Sequence, residues 1–372
     1  MSDVHTASSK ALFTVVSTFA GGGGSSTGYR LSGGKVLLVN EFVPEAVNTY
    51  KVNFPDTPVD PSDIRDITRK NGKKGITDWL KKYDIKPHEL DLLDGSPPCS
   101  TFSVSGKGSS KAGEMNVQYS DVTQDRIGYL ILEYILLASV VKPKVTVFEN
   151  VPQMRNSPIY HQAVSDLKKC GYFVSHRILQ SSNFGVPQRR KRLFVIGVRK
   201  DVAKKVGITC DDDIQSLYPR PSSYEPTVHD AIRDLEIDKL ERNMILDHVR
   251  KSRHYEILRA IPTDPERVDR LAYHNDKFKN YLFNVNRCAW HQPAPTITQL
   301  GNQLGGLGGV YHPEENRSFT VKELLRLFSL PDDFRLTGTF NQRAERVGRM
   351  VTPYVTKELS KSIYDKVLKW TD

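Results

Sequence analysis

Cysteine is scarce in this chain: 372 residues carry four, Cys99, Cys170, Cys210 and Cys288, and no two of them form a Cys-x-x-Cys pair. That spacing excludes a disulfide framework and the usual thiolate zinc sites, and a reducing cytosol is the expected setting. The ten histidines are scattered, with no His-Glu-x-x-His or comparable spacing, so no structural or catalytic metal is expected. Long apolar runs are also missing. The longest, Tyr129 to Val141, is too short to span a bilayer and contains Glu133. Met1-Ser2-Asp3-Val4-His5 lacks the basic region and apolar stretch of an export signal, so a soluble, cytoplasmic protein is expected. No internal repeat is visible, and low complexity is confined to Ser100–Gly113, rich in Ser, Gly and Lys.

What is present is an ordinary globular composition, 38% hydrophobic, with a net charge of +10. The length predicts two or three domains, and the basic balance favours a polyanionic partner. From Leu12 to about Val198, short β-rich runs alternate with helical ones, which predicts a doubly wound, mostly parallel α/β sheet. The predicted strands are Leu12–Phe19, Val36–Asn40, Leu90–Asp94, Val145–Phe148, Tyr172–Leu179 and Leu193–Val198. Helical spacing covers Glu45–Asn53, Arg126–Val141 and Ile159–Lys169. The last two strands are too close for a crossover helix and should pair antiparallel. From Arg199 to about Asn286, mixed charges and prolines predict a second, smaller domain, so the expected division is 1–198, 199–286 and 287–372, with the last helix returning to the first domain. Phe319–Phe328 reads as an amphipathic helix, with Thr320 as cap and Glu323 three residues on.

Two of the strands end in chemically active side chains. Asp91-Leu92-Leu93-Asp94-Gly95-Ser96-Pro97-Pro98-Cys99 runs into a Pro-Pro turn with a thiol at its tip, and Val145-Thr146-Val147-Phe148 ends in Glu149-Asn150-Val151. Parallel sheets bind ligands at the carboxyl ends of their strands, so thiol and carboxyl are expected to share one crevice. The pair suits covalent attack on an electron-poor ring, with a proton delivered to the ring as the thiolate adds. The flexible, weakly basic segment after the cysteine suits a lid over a bound polyanion.

The first strand ends in Phe19-Ala20-Gly21-Gly22-Gly23-Gly24, a turn that lets a ligand approach the backbone closely. Neither Ser26 nor Thr27 supplies the third glycine of a dinucleotide fingerprint, and no Walker lysine follows, which disfavours NAD and ATP. Glu41 at the end of the second strand can accept hydrogen bonds from ribose hydroxyls, and Asp63-Ile64 can place an acid and an aliphatic against an adenine ring. Together these fit an adenosine ligand without phosphates.

In order, these blocks resemble the DNA cytosine-5 methyltransferases, which use S-adenosylmethionine. They are Phe19-Ala-Gly21-x-Gly23-Gly24, Glu41, Asp63-Ile64, Pro97-Pro98-Cys99, Glu149-Asn150-Val151 and Gln188-x-Arg190-x-Arg192, then Pro293-x-Pro-Thr-Ile-Thr298 and Phe319-Thr-Val-x-Glu323. The resemblance covers Leu12–Arg199 and Arg287 to about Ile363. It implies a Rossmann-like methyltransferase domain with a target-recognition domain, acting as a monomer on a cytosine flipped out of duplex DNA. Cys99 would add to carbon 6 and make carbon 5 nucleophilic. Glu149 would hold or protonate N3, and Arg190 and Arg192 would orient the base and brace Glu149. Phe19, Gly21, Gly23, Gly24, Glu41, Asp63, Ile64, Pro98, Arg349 and Met350 would bind the donor, and Ser100, Asn150, Gln188 and Thr298 the substrate. Such enzymes belong to the cytoplasm of bacteria or their phages, at the nucleoid, often in restriction-modification pairs. Free thiols are a few per cent ionised near neutrality, so basic surroundings or the phosphate network would have to help Cys99.

The pattern breaks near the C-terminus. The family usually shows Gln-x-Gly-Asn-x-Val-x-Pro, whereas this chain reads Arg346-Val-Gly348-Arg349-Met350-Val-Thr-Pro353. A cation facing a sulfonium is unfavourable. Arg349 could turn to DNA phosphate or to Glu345, donor binding could be weakened, or the donor could be carboxy-S-adenosylmethionine, whose carboxylate Arg349 would pair to give 5-carboxymethylcytosine. Smaller departures are Ser17-Thr18, where the family often has an acid before the phenylalanine, and Ser25, where an aromatic is usual. Two further readings stand beside the DNA enzyme: the same chemistry on RNA, and an inactive DNA-binding protein that keeps the scaffold.

Overall fold

The structure, a computed structural model, describes residues 1–98, 117–118, 123–124, 127–252, 255–266, 285–299, 304 and 309–371. Cys99 and the Ser100–Gly113 segment lie outside the described residues, as do residues 267–284. The chain divides into two compact units. One comprises Ser2–Leu179, Lys191–Arg220 and Thr356–Asp372, and the other Met1, Gln180–Arg190 and Pro221–Val355.

The first unit is built on seven strands: β1 (Phe13–Thr18), β2 (Gly34–Asn40), β3 (Val59–Asp60), β4 (Leu92–Gly95), β7 (Val145–Asn150), β8 (Tyr172–Gln180) and β10 (Lys191–Arg199). Two short strands, β5 (Val117–Gln118) and β6 (Thr123–Gln124), form a separate antiparallel ribbon, and β9 (Gln188–Arg189) pairs outside the sheet. The sheet order is β3-β2-β1-β4-β7-β10-β8. β1 runs parallel to β2 and β4, β2 to β3, and β4 to β7, while β10 is antiparallel to β7. The predicted fold class is therefore correct, and each predicted strand lies within two residues of an observed one.

Continuous apolar runs place β1, β4 and β7 in the middle. Val15, Val16, Leu92, Leu93, Val145 and Val147 are fully buried, as strands covered on both faces require. Each such side chain contributes about 1.5–3 kcal/mol on burial. The helices are α1 (Ser2–Ser8), α2 (Gly24–Leu31), α3 (Pro44–Asn53), α4 (Ile64–Thr68), α5 (Gly72–Lys82), α6 (Leu130–Val141) and α7 (Pro158–Lys169). On α6, Tyr134 donates its hydroxyl to the carbonyls of Leu93 (2.9 Å) and Val147 (3.1 Å). Gly95 is obligatory beneath it, because a Cβ there would stand 2.5 Å from the Tyr134 ring. Glu133 on the same helix is buried, takes the Thr68 hydroxyl at 2.6 Å and pairs with Arg69.

Among the described residues the second unit has little sheet: β11 (Val285–Arg287) pairs in parallel with β13 (Gly309–Tyr311), and β12 (Ala294–Pro295) with β9. Buried charge organises it instead. Arg317 is fully buried between Glu323 (2.7 Å) and Glu315 (3.1 Å). Glu323 also completes the expected capping box with Thr320 at the start of the helix Val321–Leu327. Arg287, 1% exposed, donates to the carbonyls of Leu258 and His312. His312 accepts the N–H groups of Glu314 and Glu315 at Nδ1, and burial, then the Arg317 charge, pushes its pKa down to about 3.

The unit boundaries differ from 199–286 in a definite way. The stretch 191–220 stays with the sheet, because β10 is a sheet strand and Tyr218 donates to the carbonyls of Ser175 and Phe194. Gln180–Arg190 and 287–355 join the second unit, the former through the pairing of β9 with β12.

Candidate active site

The reversal of one strand decides the geometry around Glu149. β7 ends at Glu149-Asn150, and β10 begins there because it runs the opposite way, with Leu193 opposite Asn150 and Phe194 opposite Glu149. Side chains two apart on a strand share a face, so Arg192 stands on the face of Phe194, diagonal to Glu149. Its Nε is 3.0 Å from Glu149 Oε1. The other oxygen, Oε2, takes the Ser96 hydroxyl at 2.5 Å, just beyond the carboxyl end of β4. The carboxylate is thus fixed from two neighbouring strands, while Glu149 remains 7% exposed. Ser96 was not among the residues the sequence singled out.

Asn150, expected at the substrate, is buried and braces the backbone. Its Nδ2 donates to the Pro97 carbonyl at 3.1 Å, and its Oδ1 accepts the Val151 N–H at 2.8 Å. It therefore holds the Pro97-Pro98 turn that leads to Cys99.

The glycine-rich turn lies at the end of β1. Phe19 and Gly21 have positive φ, 54° and 56°, and Gly23 has φ 102° as the N-cap of α2. Only Gly tolerates that last value without strain, and a Cβ on Gly23 would also meet the Phe54 ring at 2.9 Å. At Gly21 a Cβ would meet nothing within 4 Å, so the backbone borders open space. No side chain caps α2, and its first amides present the positive end of the helix. Glu41 is anchored beside the turn by the N–H groups of Gly21 (2.6 Å) and Val43 (2.7 Å). Asp63 caps α4 and pairs with Arg65, and Ile64 is buried. The half-buried Pro98 closes the described part of the β4 turn.

In the second unit, Gln188 and Arg190 are buried cross-ties. Gln188, expected at the substrate, accepts the Ile297 N–H at 3.1 Å and donates to the Leu327 carbonyl at 3.2 Å. Arg190 donates to the carbonyls of Ile297 (3.0 Å) and Gly348 (3.1 Å) and lies over the Phe328 ring. Of the two arginines expected to brace Glu149, Arg192 makes the ion pair, and Arg190 ties the 297 and 348 segments together. Thr298 is exposed, and its backbone lies so close to Gly348 that a Cβ there would stand 2.7 Å from it. Arg349 Nε pairs with the buried Glu345 at 2.9 Å, an acid it shares with Arg346 (3.1 Å). Met350 follows, buried at the end of the helix Phe340–Arg349.

Among the described residues no group of three or more His, Cys, Asp and Glu is placed to hold a metal ion. No described helix is long and apolar enough to cross a membrane.

Residues 13–365 match the C-5 cytosine-specific DNA methylase family. The chain belongs to that family and is a DNA cytosine-5 methyltransferase. It is 28% identical to the type II methyltransferase M1.HphI of Haemophilus parahaemolyticus, over 94% of this chain and 86% of that one. It is also 28% identical to the type II methyltransferase M.NgoFVII of Neisseria gonorrhoeae, over 98% and 89%. In fold it is similar to Entamoeba histolytica methyltransferase EhMeth, with a TM-score of 0.64 at 16% identity, covering 95% of this chain and 98% of that one. A mutant of DNMT2 from Spodoptera frugiperda gives 0.63 at 18%, covering 95% and 99%.

Proposed function

We propose that the enzyme flips a cytosine from duplex DNA and alkylates carbon 5 through a transient Cys99 adduct at carbon 6. The observation that carries the reading is the doubly held Glu149. A carboxyl fixed by Arg192 and Ser96 at the carboxyl end of β7 can meet the N3 edge of an extruded pyrimidine without reorganising. Asn150 supports the chain path to the nucleophile by holding the Pro97 carbonyl. Thiolate addition at carbon 6 pushes electron density to carbon 5. Hydrogen bonding between Glu149 and N3 stabilises that charge and Arg192 keeps the carboxyl in register; after alkylation, loss of the carbon 5 proton to solvent expels the Cys99 thiolate and restores the ring. S-adenosylmethionine, the donor the family implies, supplies an electrophilic methyl group when bound. The open backbone at Gly21, the uncapped start of α2 and the anchored Glu41 fit its aminoacid and ribose ends.

The ordinary methyl donor is favoured over carboxy-S-adenosylmethionine because the Arg349 charge already faces Glu345. With both donors supplied, nucleoside mass spectrometry is expected to find 5-methylcytosine alone. Duplex DNA is favoured over RNA by the family match and the relatives' type II identity, and the second unit, which holds most of 199–286, is read as the sequence-recognition part.

The deciding experiment is covalent trapping on 5-fluorocytosine duplex DNA. Wild-type protein is expected to form a denaturant-stable adduct and Cys99→Ser none. Capture by the serine variant removes Cys99 as nucleophile, absence of wild-type capture favours the inactive binding protein, and capture on RNA alone favours the RNA enzyme.

A further inference from the structure

Asp94 is a carboxylate with no role in the chemistry above. It is 3% exposed, and its charge is met by hydroxyls from the elements that frame the glycine-rich turn. Ser17 Oγ on β1 donates to Oδ2 at 2.6 Å and Ser25 Oγ in the first turn of α2 to the same oxygen at 2.9 Å, while Tyr29 on α2 donates to Oδ1 at 2.9 Å. Among the described residues no cation pairs with it.

Ser17 and Asp94 are direct partners in the β1–β4 ladder. Ser17, in the Ser17-Thr18 pair, and Ser25 are also among the positions where the chain departs from the related pattern, which often has an acid before the phenylalanine and an aromatic at the second place. An acid on β1 and an acid at Asp94 would occupy the same pocket from adjacent strands, with a small hydroxyl opposite.

We propose that Asp94 is a positioning residue for the donor, an anionic anchor transposed from the first strand to its neighbour, which fixes the start of α2 beneath the glycine turn. The inference rests on reading that turn as the donor site. The carboxylate is bound to the first turn of α2, where the positive end of the helix stabilises negative charge. It ties that turn to β1, so the amides that would meet the donor's carboxylate keep one position. Losing the anchor lets the helix start move and weakens donor binding without touching the pyrimidine chemistry.

Calorimetric titration of the full chain with S-adenosylmethionine and S-adenosylhomocysteine tests this on wild type, Asp94→Asn, Asp94→Ser and the exchange Ser17→Asp with Asp94→Ser. Loss of a charge-assisted anchor is expected to raise Kd and donor KM about tenfold or more. The rate with saturating donor should stay nearly constant. The exchange, which returns the carboxylate to the same pocket, is expected to recover most of the affinity that Asp94→Ser loses. Asp94→Asn binding like wild type overturns the proposal, and so does an exchange variant that regains thermal stability but not affinity, since Asp94 is then only structural. If wild type binds neither nucleoside, the donor-site reading itself fails, an outcome visible before any variant is compared.

Discussion

Arg192 and Glu149 meet across an antiparallel pair of strands, Nε to Oε1 at 3.0 Å, with the Ser96 hydroxyl on the opposite oxygen. Because the carboxyl is held from both sides, its removal and its loosening should differ in degree. Glu149→Gln is expected to lower single-turnover methylation about 100-fold or more. Ser96→Ala, which removes one hydrogen bond to a charged group, should cost about tenfold. Rapid-quench assays with tritiated donor distinguish the two, and equal losses would contradict the graded role.

Gly23→Ala places a Cβ at φ 102° and against the Phe54 ring. A destabilisation of about 1–3 kcal/mol is expected in urea unfolding, together with weaker binding of S-adenosylhomocysteine. Gly171 also has a positive φ, 90°, but a Cβ there meets nothing within 4 Å, so Gly171→Ala should carry the backbone strain alone and leave ligand affinity unchanged.

Arg317 and Glu323 form a buried pair at 2.7 Å. Breaking it with Glu323→Gln leaves the buried guanidinium with Glu315 as its one remaining carboxylate partner among the described residues, and is expected to destabilise the second unit by about 3 kcal/mol. Differential scanning calorimetry should show the loss. A milder effect than Thr320→Ala, which removes only the cap, would be inconsistent with this role.

Two buried groups give stability opposite pH dependences. His312, pushed down to about 3 by burial and Arg317, is neutral in the fold while the unfolded chain protonates below its ordinary value. Its contribution is therefore complete above about pH 6.5 and is lost as pH falls toward 3, by about 1.4 kcal/mol per unit. His312→Asn, which retains an acceptor, should flatten the melting temperature between pH 6.5 and about 5.

Asp94 is pushed up to about 6, chiefly by burial, against the lowering effect of the Ser17, Tyr29 and Ser25 hydroxyls and with a small raising effect of Glu149. The native state keeps a proton there that the unfolded chain releases, so stability falls as pH rises from about 4 to about 6 and is level above, a change of roughly 3 kcal/mol. The difference in melting temperature between wild type and Asp94→Asn should change sign or magnitude across that window and stay constant above about pH 7. A constant difference throughout would exclude titration of this group.

The strands were legible because apolar runs such as Val145–Phe148 and Leu193–Val198 lie between turn residues, and Thr320 with Glu323 announced a helix start. The Asp94 network was not, because its members are 65 to 77 residues apart in the chain and meet only through the β1–β4 register and the α2 packing. Asp60, at the end of β3, was hidden because its partners come from the next packed helix: Trp79 on α5 and Tyr83 just after it donate to its carboxylate. For Asn150 and Gln188 the motif suggests substrate contact, and what the sequence does not show is that each, buried, also braces the backbone beside it.

The reversal of β10 also constrains how this enzyme can change. Arg192 reaches Glu149 only in the register that sets Leu193 against Asn150, and a slip of one residue would send the guanidinium to the opposite face of the sheet. Insertions between Gln180 and Lys191 are thus tolerable only when the ladder keeps its phase. Length variation among relatives should collect elsewhere, and chimaeras joined between Gln180 and Lys191 that shift this ladder should lose activity while retaining their fold.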